Sequence, residues 1–156
     1  MTNWLNDDEQ RAWRNLIAVT TLLPSALDAQ LRRDSELTNF DYWILAMLSE
    51  TPERVLRMSD LADRSNSSLS RLSHAVGRLE ERGYVVRSPL ADDGRVNVAT
   101  LTDAGWAKVV ETAPGHVECV RSIVFDGLTS DQVAQMEAIC GAILDRLTSR
   151  TEPAVR

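Results

Sequence analysis

The feature that most restricts the fold lies between Ser67 and Gly105, where an amphipathic helix, a helix stop and a hairpin follow one another without a linker. In "SSLSRLSHAVGRLEERG", Leu69, Leu72, Val76 and Leu79 fall at spacings of three, four and three, so they form one apolar helix face. The opposite face carries Ser67, Ser70, Arg71, His74 and Arg78, and no acid. Gly83 suits the position after a helix that favours a left-handed residue. Tyr84 to Arg87 and Val96 to Thr100 are β-branched and strand-like. Asp93-Gly94, between them, is a favoured dipeptide for the centre of a tight hairpin turn. Just upstream, Met58 to Asn66 reads as a short helix, with Ser59 as its N-cap and Leu61 and Ala62 facing a core. "SNSS" then makes the turn. The sum is a helix-turn-helix followed at once by a two-stranded wing.

This arrangement carries a chemistry. Serine hydroxyls bond phosphate or base, and arginine pairs bidentately with guanine. The first turn of the second helix, opened by Ser68, has no acid, so its N–H groups can approach a phosphate. At the wing tip, Arg95 suits a narrow, negative minor groove. Asp93, two residues before it, either orients the Arg95 side chain or serves the turn with Gly94. Candidate nucleic-acid contacts are therefore Ser67, Ser68, Ser70, Arg71, His74 and Arg78 on the helix, and Asp93, Gly94 and Arg95 on the wing. The alternative is an ordinary solvated helix face and turn.

Charge is consistent with a local basic surface. The chain carries −6 overall. Residues 54–95 hold eight arginines against six acids, or +2, which leaves −8 for the rest. Local sign decides whether a surface can meet phosphate.

The flanks are helical. Asp7 to Arg33 places Trp13, Leu16, Ile17, Thr20, Leu23, Leu27 and Leu31 on one side, and Pro24 predicts a kink or break near Leu23. Asn39 to Glu50 sets Phe40, Trp43, Ile44, Met47 and Leu48 at helical spacing before "ETPER" breaks the pattern. A helix resumes after its cap, Thr102, and Pro114-Gly115 is expected to interrupt it. A last helix starts at Thr129, with Gln132 completing a capping box, and carries Val133, Met136, Ile139, Ile143, Leu144 and Leu147. The expected fold is mainly α with a small β-hairpin wing.

Other classes find little support. No apolar run approaches the ~18 residues of a membrane span. "MTNWLNDDEQ" lacks the features of a secretory signal, so a cytoplasmic protein is expected. Cys119 and Cys140 have no metal spacing, and buried, inert thiols are expected. There is no GxSxG, P-loop or HExxH pattern, so no catalysis and no metal are expected.

"ADDGRVNVATLTDAGWAKV" resembles the wing and following helix of MarR-type regulators, with Asp93, Arg95, Leu101, Thr102 and Gly105 matching their Asp-x-Arg and Leu-Thr-x-x-Gly pattern. "LRMSDLADRSNSSLSRLSHAVGRLEERGYVVRS" is similar to their helix-turn-helix, including Leu79, Glu80 and Gly83. The resemblance implies a winged DNA-binding region over residues 39–102 and a helical dimerisation region over 1–38 and 103–156, intertwined as one domain. It implies a homodimer that reads two inverted half-sites of double-stranded DNA. Leu16, Val133, Met136, Ile139, Ile143 and Leu147 would form the dimer seam, with an intramolecular core as the alternative. It also implies a possible small aromatic or phenolic effector. Trp13, Trp43 and His116 are pocket candidates on that basis, although core packing is the commoner fate of such tryptophans.

Overall fold

A computed structural model describes residues 1–151. Its contacts divide the chain into two compact units, residues 1–117 and the residues from Glu118 onward.

In the first unit, helix α1 (Asp7–Ser35) begins in a capping box: Asn6 accepts from the Glu9 N–H, and the Glu9 carboxylate accepts from the Asn6 N–H. The helix continues through Pro24 without the expected break. Proline costs the bond to the carbonyl four residues back, but helix-forming sequence on both sides carries the path across. Glu36 ends α1 in a left-handed conformation. Helix α2 (Asn39–Ser49) opens with a second capping box, Thr38 with Asp41. Helix α3 (Met58–Arg64) starts two residues before an N-cap at Ser59 would place it. Its N-cap is Arg57, and Ser59 lies inside the first turn with its hydroxyl on Asp60. Asn66 (φ 49°) makes the turn that follows. Asparagine tolerates this left-handed region better than most residues.

Helix α4 (Leu69–Glu81) is capped by Ser68, whose hydroxyl accepts from the Arg71 N–H. It ends before Gly83, which has φ 75°. Its buried face is Leu72, Ala75, Val76 and Leu79. Leu69 does not join that face and is 56% exposed. It stands in the first turn at the rim of the apolar stripe, where the core has already ended.

The sheet has three antiparallel strands in the order β1-β3-β2: β1 (Val55–Arg57), β2 (Val85–Leu90) and β3 (Asp93–Leu101). β1 is not evident in the sequence, because three residues carry no periodicity and the strand exists only by pairing with β3, Val55 opposite Thr100. The hairpin also differs in detail. Leu90 pairs with Asp93, so Ala91 and Asp92 form the turn and Asp93-Gly94 lies just beyond it. The next pair back is Pro89 with Asn97, so Gly94, Arg95 and Val96 bulge from β3. Gly94 does not use a positive φ.

Helix α5 (Asp103–Val120) is anchored at its start. The Thr102 hydroxyl donates to the Gly83 carbonyl at 2.7 Å and accepts from the Gly105 N–H at 3.0 Å. A Cβ on Gly105 would lie 2.2 Å from the Tyr84 carbonyl oxygen, so the close approach of helix and hairpin requires glycine here. The expected interruption at Pro114-Gly115 does not occur, and α5 runs through both. The core gathers Leu31, Leu37, Ile44, Leu45, Leu48, Leu61, Leu72, Val76, Leu79, Val85 and Leu101 with their neighbours from all of these elements.

In the second unit a π-helical stretch (Arg121–Phe125) precedes helix α6 (Ser130–Thr151). The Thr129 and Gln132 side chains each accept the other's backbone N–H, the expected capping box. No residue of α6 between 130 and 149 is buried: Val133 and Met136 are half-buried, while Ile139, Ile143, Leu144 and Leu147 are exposed. Cys140 on α6 is therefore exposed, and Cys119 near the end of α5 is half-buried, so neither thiol is buried as expected. Among the described residues, no helix is long and apolar enough to cross a membrane.

Candidate nucleic-acid interface

The polar face of α4 and the wing tip both present hydrogen-bond donors outward. Ser68, Ser70, Arg71, His74 and Arg78 are exposed, and Ser67 is half-buried with its hydroxyl 2.8 Å from that of Ser65. The first turn of α4 contains no acid. At the wing, the Asp93 carboxylate accepts from the Arg95 N–H at 3.1 Å and from its Nε at 3.3 Å. The Arg95 side chain is 93% exposed. Among the described residues nothing else holds its two Nη groups, which project from the bulge. Gly94 beside it is exposed and leaves the tip slim.

The two helix arginines are not equivalent. The Arg71 guanidinium lies 4.3 Å above the Phe40 ring. Such an exposed cation–π contact is worth about 0.5–1 kcal/mol, so a phosphate could draw the side chain away. Arg78 instead donates from Nη2 to Asp41 at 2.7 Å, and the Asp41 side chain is only 7% exposed. Breaking a charged hydrogen bond to a buried carboxylate costs about 1.5–3 kcal/mol. Arg78 thus joins α4 to the N-terminus of α2, a tie with no local sequence signal because its partner lies 37 residues away.

A second tie escaped the sequence pattern. Arg87 of β2 reaches back over α4 to Glu80 and Ser73. Burial raises the Glu80 pKa, but the hydrogen bonds and charge of Arg87 outweigh it and hold the carboxyl below its ordinary value.

Beside α4, a cleft of about 760 Å³ runs between α1, α2 and α4. Phe40 and Trp43 give it aromatic surface, Arg32, Arg71 and Arg78 give it positive charge, and His74 lines it beside them. Hydrogen bonds from Arg32 and the Asn39 N–H hold the Asp28 carboxyl in its wall below the usual carboxylate range. Of the three pocket candidates, Trp43 lines this cleft. Trp13 does not, and both indoles are about half exposed (53% and 51%) instead of packed in a core. α1 and α2 turn those edges outward while Leu31 and Ile44 face in. His116 packs elsewhere, its ring 4.6 Å from that of Tyr42 and its Nδ1 3.4 Å from Gln30 Oε1. Burial there lowers its pKa. Among the described residues, no group of three or more His, Cys, Asp or Glu converges to hold a metal.

Known proteins share this architecture. Residues 36–96 match the profile of the MarR family. Over 99% of its length the chain superposes on 94% of Sco3205, a MarR family transcriptional regulator from Streptomyces coelicolor crystallised in complex with DNA, with a TM-score of 0.88 and 42% identity. AbsC, a MarR family transcriptional regulator from the same organism, aligns over 95% of this chain and 99% of its own, with a TM-score of 0.90 and 37% identity. The HTH-type transcriptional repressor YetL of Bacillus subtilis is 25% identical over 112 residues. That match spans 72% of this chain and 66% of YetL, just under two thirds of the relative's length.

Proposed function

The chain belongs to the MarR family of transcriptional regulators, and from that premise we propose that it binds double-stranded DNA sequence-specifically as a homodimeric repressor. One observation carries the reading: the acid-free first turn of α4 and the Asp93-held Arg95 stand at the two ends of one helix–wing unit. A major-groove helix and a minor-groove arginine are the complementary readers such a unit would supply. Ser68, Ser70, Arg71 and His74 meet the major-groove side, and Arg95 enters the minor groove. DNA complexed with Sco3205, at 42% identity, supports the same ligand here. The repressor sign follows YetL. The protein acts in the cytoplasm, without turnover and without a required cofactor.

The homodimer is supported by apolar surface that one chain leaves uncovered. Leu16 and Ile17 on α1, and Ile139, Ile143 and Leu147 on α6, are all exposed. Exposed apolar side chains of this kind on each helix mark association surface. Two copies would read inverted half-sites about 34–36 Å apart. Analytical ultracentrifugation at micromolar concentration should show a dimer, and a monomer would remove this element. The cleft beside α4, with Phe40 and Trp43, supports a small aromatic or phenolic effector that releases DNA. A screen of small aromatics with neither a thermal shift nor loss of DNA binding would discard it.

The test of the DNA reading is fluorescence anisotropy on the chain's own promoter DNA and on a random duplex pool, at about 0.15 M salt. Selective binding to the promoter is expected, and Arg95→Ala should weaken it by about 1–3 kcal/mol. No selective binding by a folded dimer would instead favour a winged helix used for protein contact.

A further inference from the structure

Beyond the shared apolar core, a cluster of polar bonds fastens the wing to α4. Arg87, on the edge strand β2, donates its backbone N–H to Glu80 Oε1 and its Nε to Glu80 Oε2, both at 2.8 Å. Its Nη2 lies 2.7 Å from Glu80 Oε2. Its Nη1 donates to the Ser73 hydroxyl at 2.9 Å. Ser73, Gly77 and Glu80 form one stripe of α4, at spacings of four and three. The guanidinium lies along that stripe: a Cβ on Gly77 would touch Arg87 Nη2 at 3.8 Å, and any longer side chain would compete for its place.

The arrangement uses both faces of the contact. Glu80 takes an edge-strand N–H as well as the guanidinium, so it fixes the β2 backbone and not merely a side chain. Arg87 and Glu80 are each about one-third exposed, so the grip is partly shielded from water. The wing tip lies four to five residues beyond Arg87, or about 13–17 Å of strand. A tilt of about 10° at the clamp would therefore move Arg95 by about 2–3 Å, more than the tolerance of a hydrogen bond.

We propose that the Ser73–Glu80–Arg87 clamp sets the tilt of the wing on α4, so that Arg95 and the α4 face meet DNA as one rigid reader. The three are positioning residues, not DNA contacts. The proposal rests on the DNA reading above, and its experiment separates the two.

The first measurement needs no DNA. Spin labels at Asp92→Cys and Glu81→Cys, with Cys119 and Cys140 replaced by serine and labelled chains diluted into unlabelled ones, report the distance from wing tip to α4. A narrow distribution is expected, broadening with Glu80→Gln. An unchanged distribution in Glu80→Gln overturns the clamp. The second measurement is a double-mutant cycle of Glu80→Gln with Arg95→Ala on one duplex. Arg95→Ala is expected to weaken the parent about tenfold but the Glu80→Gln protein less than twofold. Hydroxyl-radical footprints of Glu80→Gln should lose the minor-groove protection of the wing, while dimethyl sulfate footprints should keep the guanine N7 protection of the α4 face. Equal penalties in both backgrounds overturn the proposal. If Glu80→Gln fails to fold, Ser73→Ala, which removes one of the four contacts, gives the same cycle with smaller coupling. A parent that binds no duplex selectively overturns the DNA reading and the service to Arg95, while the spin-label distances still decide whether the clamp holds the wing.

Discussion

Removing Arg78 should destabilise the fold before it changes any DNA contact. Asp41 is nearly buried and has two polar partners, Arg78 Nη2 at 2.7 Å and the Thr38 N–H at 3.4 Å. In Arg78→Ala the carboxylate keeps only the longer one. Stripping a partner from a fully buried ion pair costs about 3–5 kcal/mol. Here half of the Arg78 side chain is already in solvent, at 52% exposed, so water can enter the vacated site. The loss should then approach that of one charged hydrogen bond, and about 2 kcal/mol is expected. For a chain of this size that lowers Tm by about 4–8 °C. The assay is thermal and urea unfolding followed by circular dichroism, at one protein concentration, because a dimer's apparent stability depends on it. Asp41→Asn combined with Arg78→Ala should recover part of the loss, since no buried charge is left unpaired. Suppose instead that Arg78→Ala unfolds within about 0.5 kcal/mol of the parent, a shift typical of neutral surface changes. If its DNA affinity also loses about one unit of salt slope, Arg78 is a phosphate contact and the structural reasoning is wrong.

Two further outcomes follow from local geometry. Gly105→Ala gains helix propensity of up to about 1 kcal/mol, yet its Cβ would meet backbone at 2.2 Å. Strain should prevail, with a net loss of about 1–3 kcal/mol in urea unfolding; a stabilised variant would contradict the close packing of α5 on the hairpin. His116 is held neutral by burial, with its pKa below the ordinary 6.5. The unfolded chain takes up a proton near 6.5 and the folded one only at lower pH, so stability is full above that point and falls as pH drops through it. His116→Gln should remove this component between pH 7.5 and 5.5, and identical pH dependence in parent and variant would refute the assignment.

Most helices could be read locally. The caps at Asn6, Thr38 and Thr129 lie within three residues of their partners, and the stop at Gly83 is a single-residue preference. The polar face of α4 and the presence of a wing followed from the same short-range periodicity. The prolines misled for a physical reason. Each removes one hydrogen bond, and at Pro24 and Pro114 long helical sequence on both sides outweighs that loss. The turn also shifted, because hairpin register is a property of two strands. Pairing Val85 with Leu101 and Leu90 with Asp93 leaves Ala91 and Asp92 at the tip, whatever Asp93-Gly94 prefers alone.

What the sequence determined by itself, then, is the order of elements, the amphipathic faces and the family pattern, since each is encoded within about one or two helical turns. Tertiary structure decided where the arginines go. Arg71 meets Phe40, Arg78 meets Asp41 and Arg87 meets Glu80 and Ser73. Each guanidinium is long, flexible and able to reach several partners, so its destination depends on which carboxylate or ring the folded backbone brings near. Arg95 alone among these four has its partner two residues away, and its tie to Asp93 is the one that short-range chemistry could anticipate.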